Sequence, residues 1–165
     1  MDRITELSHR INRLLINRPG LTISAAESCS GGGIASAITA IPGSSDYFLG
    51  SVVAYVNAAK NALLHVPTEI LESRGAVSPE CAMAMADGSR MIFHSSIAVS
   101  TTGISGPTGA TARKPVGLVY VALAIETGTS VEEHHFTGDR LSVTQAAIVR
   151  SLTLIGDHIE HVYKI

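Results

Sequence analysis

Apolar positions near the start of the chain recur at helical spacing. Ile4, Leu7, Ile11, Leu14 and Leu15 share one face, which predicts an amphipathic helix over residues 2–17. Pro19-Gly20 ends it. The period then changes. Residues 21–26 predict the first strand, which breaks at Ser28-Cys29-Ser30 into Gly31-Gly32-Gly33. A helix is predicted over 31–40, a turn at Pro42-Gly43-Ser44-Ser45 and a Val- and aromatic-rich strand over 47–55. Two short helices follow, at 57–64 and 67–73. Ser78-Pro79-Glu80 combines a capping hydroxyl, a first-turn proline and an acid at the positive helix end, so a helix should run from there to about Phe93. A buried strand at 97–101 leads into the glycine-rich loop 102–110. Residues 116–126 and 131–136 predict a hairpin turning through 127–130, and a long helix over 141–159 closes the pattern.

Strands that alternate with helices and then follow one another predict an α/β fold. We expect a single domain over residues 1–165, with a mixed, mostly parallel sheet flanked by helices on both faces as three layers. Composition agrees: 45% of the 165 residues are hydrophobic and 16% charged, enough for a well-buried sheet. Such apolar content also allows a homo-oligomer, of which the symmetric dimer is the commonest form.

The net charge of −2, with scattered Lys and Arg, gives no electrostatic basis for binding nucleic acid. No apolar run reaches membrane-spanning length and the N-terminus is charged rather than signal-like, so no membrane partner is expected and the default location is cytoplasmic. Cys29 and Cys81 lack metal-type spacing. The adjacent His134 and His135 point to opposite faces of a strand, and His158 and His161, three apart on a helix, suit its C-terminal dipole. No metal site is expected.

The strand–turn–helix junction at 22–34 can expose a nucleophile beside backbone N–H groups. Ser28 is the candidate nucleophile, and Lys60, following the next strand with Tyr55 and Asn57, is the candidate base. Two strand ends of an α/β sheet can meet at one crevice. For Lys60 to act as a base, burial or a neighbouring cation must favour its neutral form, at about 1.4 kcal/mol per pKa unit. The plainer alternative is a capping serine and a solvated lysine. Thr102, Gly103, Ser105 and Gly106 of the second glycine-rich loop can line a pocket or hold phosphate, and Arg140 can meet a phosphate or carboxylate. A simple connection and an exposed arginine are their plainer alternatives. The absence of GxxxxGK[ST] speaks against a Walker-type nucleoside triphosphatase.

Taken together, AESCSGG at 26–32, IPGSSDYFLGSVVAYVNAAKNALLHVP at 41–67, GAVSPECAMAMADGSR at 75–90, TTGISGPTGATARKPVG at 101–117 and FTGDR at 136–140 resemble the CinA C-terminal domain family. Characterised members of that family are nicotinamide mononucleotide deamidases. The resemblance implies hydrolysis of nicotinamide mononucleotide to nicotinic acid mononucleotide and ammonia, in pyridine-nucleotide salvage. It assigns the nucleophile to Ser28, the base to Lys60 and an orienting tyrosine to Tyr55. It places substrate contacts at Ser30, Gly31, Gly32, Asn57, Thr102, Gly103, Ser105, Gly106 and Arg140, with backbone N–H groups from Ser30 to Gly32 facing the oxyanion. No metal or other cofactor is required in that scheme.

The family more often has Thr at the position of Ser30, and an acid in the loop where this chain has Thr108, Ala110, Thr111 and Arg113. The competing readings are a non-catalytic nucleotide-binding module of the same family and an interaction protein linked to DNA uptake or repair. Because the pattern starts directly with the deamidase-like part, the pyrophosphatase activity of longer family members is not expected.

Overall fold

The computed structural model describes residues 2–163; Met1, Lys164 and Ile165, the ends of the expected domain, lie outside the described residues. Helix α1 (Arg3–Leu15) is followed by β1 (Ile23–Glu27), α2 (Gly33–Thr39) and, after a 3-10 turn, β2 (Phe48–Val53). Next come α3 (Asn57–Leu64), α4 (Thr68–Ser73), α5 (Pro79–Phe93) and β3 (Ile97–Gly103). Strands β4 (Leu118–Ile125) and β5 (Gly128–His135) and helix α6 (Arg140–Tyr163) complete the chain. The capping reading at Ser78 holds, since its hydroxyl accepts from Cys81 N. The hairpin is tighter than its composition suggests. Gly128 already pairs with Ile125, leaving Glu126-Thr127 as the turn, because Thr129 and Ser130 continue the ladder opposite Ala124 and Leu123.

The five strands lie in the order β2-β1-β3-β4-β5. Pairs β1–β2 and β1–β3 are parallel, while β3–β4 and β4–β5 are antiparallel, so only β4 runs against the others. The sheet is mixed and mostly parallel in direction, as expected.

Alternation along each strand divides the core between two faces. Ile23, Ala25, Ile97, Val99, Val119, Val121 and Leu123 face α1, α2 and α6, in a core that includes Ile11, Ile34 and Leu152. Each fully buried aliphatic side chain there contributes about 1.5–3 kcal/mol. The opposite face is rich in alanine, beside Leu118 and Tyr120. Ala98, Ala122 and Ala124 meet Ala82 and Ala86 of α5, and Ala26 and Ala54 meet Cys81 and Met85. Small residues on both sides bring α5 close to the sheet. Helix α3 in turn rests on the backbone of α5 at Gly88, where a Cβ would lie 2.0 Å from Leu64 O. That contact holds the helix carrying Lys60 against the body of the protein.

The site lies where the chain reverses its direction of travel across the sheet. The connection from β1 leads to β2 on one side, whereas β3 leads to β4 on the other. The crevice beyond the C-terminal ends of β1 and β3 is the switch point at which open α/β sheets bind ligands.

Candidate active site

Strand β1 delivers Ser28 to this crevice. Its N–H donates to Thr101 O of β3 at 3.0 Å, while Ala54 N from the end of β2 donates to Glu27 O at 2.9 Å. Three strand ends are thereby tied together around the serine. Lys60, in the middle of α3, reaches back under the end of β2 and is only 2% exposed. Its Nζ lies 2.9 Å from Ser28 Oγ, 2.9 Å from Ala54 O and 3.4 Å from Tyr55 O. A neutral amine has two hydrogens and one lone pair. The two carbonyls can take the hydrogens and leave the lone pair for the Ser28 hydroxyl.

Burial lowers the pKa of Lys60 below its ordinary value of 10.5; ionised Cys81 and Cys29 would oppose the shift. Both thiols are themselves pushed up to about 11 by burial, so they remain protonated at neutral pH. Desolvation, rather than a neighbouring cation, therefore favours the free base. The same effect removes Cys29 as a rival nucleophile at neutral pH.

A cleft of about 280 Å³ opens at the dyad, lined among others by Ser28, Tyr55, Lys60, Thr102, Ser105 and Arg140. Gly103 and Gly106 also line it, and Ala76 and Val77 close its other side. Thr102 contributes shape more than a free donor, because its hydroxyl donates to Ala76 O at 2.6 Å. A second, mostly apolar hollow of about 720 Å³ adjoins it through the shared walls Ser105 and Arg140. Arg140 opens α6 and bridges the rim, donating to Gly106 O at 2.7 Å and to Tyr55 Oη at 2.5 Å.

Several predicted contacts take different positions. The Tyr55 phenol meets Arg140 rather than the dyad; it is the Tyr55 carbonyl that touches Lys60. Asn57 is exposed and lines a separate hollow between α3 and α4, because the first turn of α3 faces away from the cleft. Gly31 and Gly32 do not line the cleft, and their N–H groups are already engaged, with Ser28 O at 3.1 Å and Glu27 Oε2 at 3.0 Å. The Ser30 hydroxyl is buried and donates to Glu27 Oε2 at 2.8 Å. Among the described residues, the N–H groups of Cys29 and Ser30 beside Ser28 make no hydrogen bond within the protein.

Sequence reasoning missed Glu27, which is fully buried and accepts from the turn, α2 and β2. The available signal was a lone acid ending a strand with no other charged residue. It also missed Thr144, whose hydroxyl lies 3.4 Å from Ser105 Oγ.

On the outer strand, His134 and His135 pair with Glu132 and Glu133. Among the described residues no group of three or more His, Cys, Asp or Glu side chains is placed to share a metal ion. No described helix is long and apolar enough to cross a membrane.

The family model of the CinA C-terminal domain matches residues 4–159. A CinA-like protein of Geotalea uraniireducens is 53% identical over 126 residues, covering 76% of this chain and 30% of that protein. A putative competence-damage inducible protein of Desulforudis audaxviator is 48% identical over 141 residues, covering 86% and 34%. The chain thus spans about a third of the length of these curated relatives. Among solved structures, competence/damage inducible protein CihA from Agrobacterium tumefaciens aligns with a TM-score of 0.90 at 39% identity, over 94% of each chain. The competence damage-inducible protein A (ComA) from Klebsiella pneumoniae aligns with a TM-score of 0.92 at 30% identity, over 97% of this chain and 99% of that one.

Proposed function

The chain belongs to the CinA C-terminal domain family, and from that premise we propose that it is an amidohydrolase, converting nicotinamide mononucleotide and water to nicotinic acid mononucleotide and ammonia. The observation that carries the reading is the buried contact of 2.9 Å between Lys60 Nζ and Ser28 Oγ, at the mouth of a cleft. A buried lysine is desolvated for use as a base, and a serine within hydrogen-bond reach of it is its natural proton donor.

In this scheme the carboxamide carbon lies over Ser28 Oγ. The Ser28 proton passes to Lys60 Nζ as the Oγ–C bond forms. The carbonyl oxygen takes up the negative charge beside the N–H groups of Cys29 and Ser30. Lys60 then returns its proton to the amide nitrogen, the C–N bond breaks and ammonia leaves. Water attacks the resulting ester and gives a proton to Lys60. The C–Oγ bond breaks, Ser28 regains a proton, and the acid product departs. Arg140, on the wall shared by the two hollows, is the natural partner for the nucleotide phosphate.

Ammonia release from nicotinamide mononucleotide by wild type and Ser28→Ala tests the proposal. Removing the nucleophile should cut kcat by about 10⁴-fold or more while substrate binding survives. Equal rates in the two proteins would remove Ser28 from the chemistry. Binding without ammonia release by the wild type would favour the non-catalytic nucleotide-binding module.

A further inference from the structure

Glu27 is fully buried at the end of the wholly buried strand Ile23–Glu27, where it is the one charged residue. Its Oε2 accepts from Ser30 Oγ at 2.8 Å and from Gly32 N and Ile34 N at 3.0 Å each. Its Oε1 accepts from Ala35 N and Ser51 Oγ, both at 3.0 Å. Five donors from the turn, the start of α2 and strand β2 thus converge on one carboxylate. Thr101 Oγ1 lies 2.6 Å from Ser30 Oγ. Since the single Ser30 hydroxyl hydrogen goes to Glu27, Thr101 must donate to Ser30, which extends the network to β3.

This arrangement changes what the glycine turn can do. The first N–H groups of a helix usually attract an anion, but here the protein's own carboxylate occupies that position. Gly32, at φ +92°, lets the backbone curl around it. Among the described residues, the N–H groups drawn inward leave those of Cys29 and Ser30, which follow Ser28 in the chain, without a hydrogen bond inside the protein.

We propose that Glu27 is a positioning residue: by holding Ser30, Gly32, Ile34, Ala35 and Ser51 it fixes the Ser28–Ser30 turn, with the Cys29 and Ser30 N–H groups left to receive the oxyanion. The proposal rests on the amidohydrolase reading for its substrate, though not for the reactivity of Ser28. Its chemical requirement is strict. A carboxylate can face five donors, whereas Gln must turn an NH₂ toward at least one backbone N–H. Asp would be shorter by one C–C bond, about 1.5 Å.

The test compares wild type with Glu27→Gln in three measurements: thermal unfolding, kcat and KM for ammonia release from nicotinamide mononucleotide, and the rate of Ser28 phosphonylation by a fluorophosphonate. Loss of oxyanion alignment should lower kcat by about 10²- to 10³-fold with KM changed less than about threefold. Phosphonylation should slow in parallel in a protein that remains folded. Unchanged kcat and phosphonylation despite a lower melting temperature would reduce Glu27 to a structural role and overturn the proposal. A raised KM at constant kcat would also overturn it. If the wild type releases no ammonia yet is phosphonylated faster than Glu27→Gln, the amidohydrolase reading fails and the positioning role stands. Equal phosphonylation of the two overturns the positioning role. Should Glu27→Gln not fold, Ser51→Ala removes one donor alone. It is expected to lower kcat several-fold at constant KM, and an unaltered kcat would refute the proposal.

Discussion

Replacing Lys60 with Met separates the cost of burying an ammonium from the use of a free amine. Lys60 is 2% exposed, and burial lowers its pKa from the ordinary 10.5. Between the lowered folded value and 10.5, the unfolded chain holds a proton that the folded chain has shed. Wild-type stability should therefore rise with pH across that window, with a slope of at most about 1.4 kcal/mol per pH unit for one proton. Lys60→Met has no such proton. It also strips the carbonyl of Ala54 of a donor, at about 1–3 kcal/mol, but this offset is the same at every pH. Urea unfolding of both proteins at several pH values from 7 to 10 reads the difference directly: stability should climb more steeply with pH in the wild type. On the activity side, loss of a general base should lower kcat by about 10²- to 10⁴-fold, or about 3–5 kcal/mol of barrier. Parallel stability curves would refute the idea that burial holds Lys60 toward its neutral form. Wild-type turnover by Lys60→Met would remove it from the mechanism.

Two further outcomes follow from other side chains. Arg140→Met should raise KM for nicotinamide mononucleotide about 10- to 100-fold, equivalent to about 1.4–2.7 kcal/mol, while leaving KM for the phosphate-free riboside nearly unchanged. Equal effects on both compounds would show that Arg140 does not meet the phosphate. The paired Arg150 guanidinium, at 2.7 Å, holds Glu132 down to about 2 from its ordinary 4.5. Its stabilisation should be present above pH 4.5 and be lost as pH falls toward 2. Glu132→Gln should flatten that acid loss in circular-dichroism melts, and an unchanged acid profile would show that the pair does not contribute.

The periodicity of α1, the start of α5 and the strand runs were legible because they record local requirements: which face is buried, where a cap hydroxyl sits, where glycine or proline interrupts. The motifs that resemble the CinA C-terminal domain likewise lie in continuous segments, and Ser28 and Lys60 stand in the structure as a contacting pair. The partners of other candidates were not legible. Asn57 lies three residues before Lys60, yet the turn of α3 sends it outward. Tyr55 meets Arg140 across 85 residues of sequence, a contact that only the approach of α6 to the end of β2 creates.

The glycine turn shows the same division. Its composition announces a close backbone turn at a strand end, and by itself that determines a place where a nucleophile or an anion can sit. Which anion sits there is decided by the tertiary structure. Glu27 fills the helix start, the parallel pairing of β1 with β2 and β3 brings Ser51 and Thr101 into its network, and the packing of α3 on α5 drives Lys60 under Ser28. Local sequence specifies conformations one element at a time. Charge burial and hydrogen-bond saturation depend on what other elements bring to the same point, so the assembled sheet alone determines which groups are spent on the fold and which remain free for chemistry.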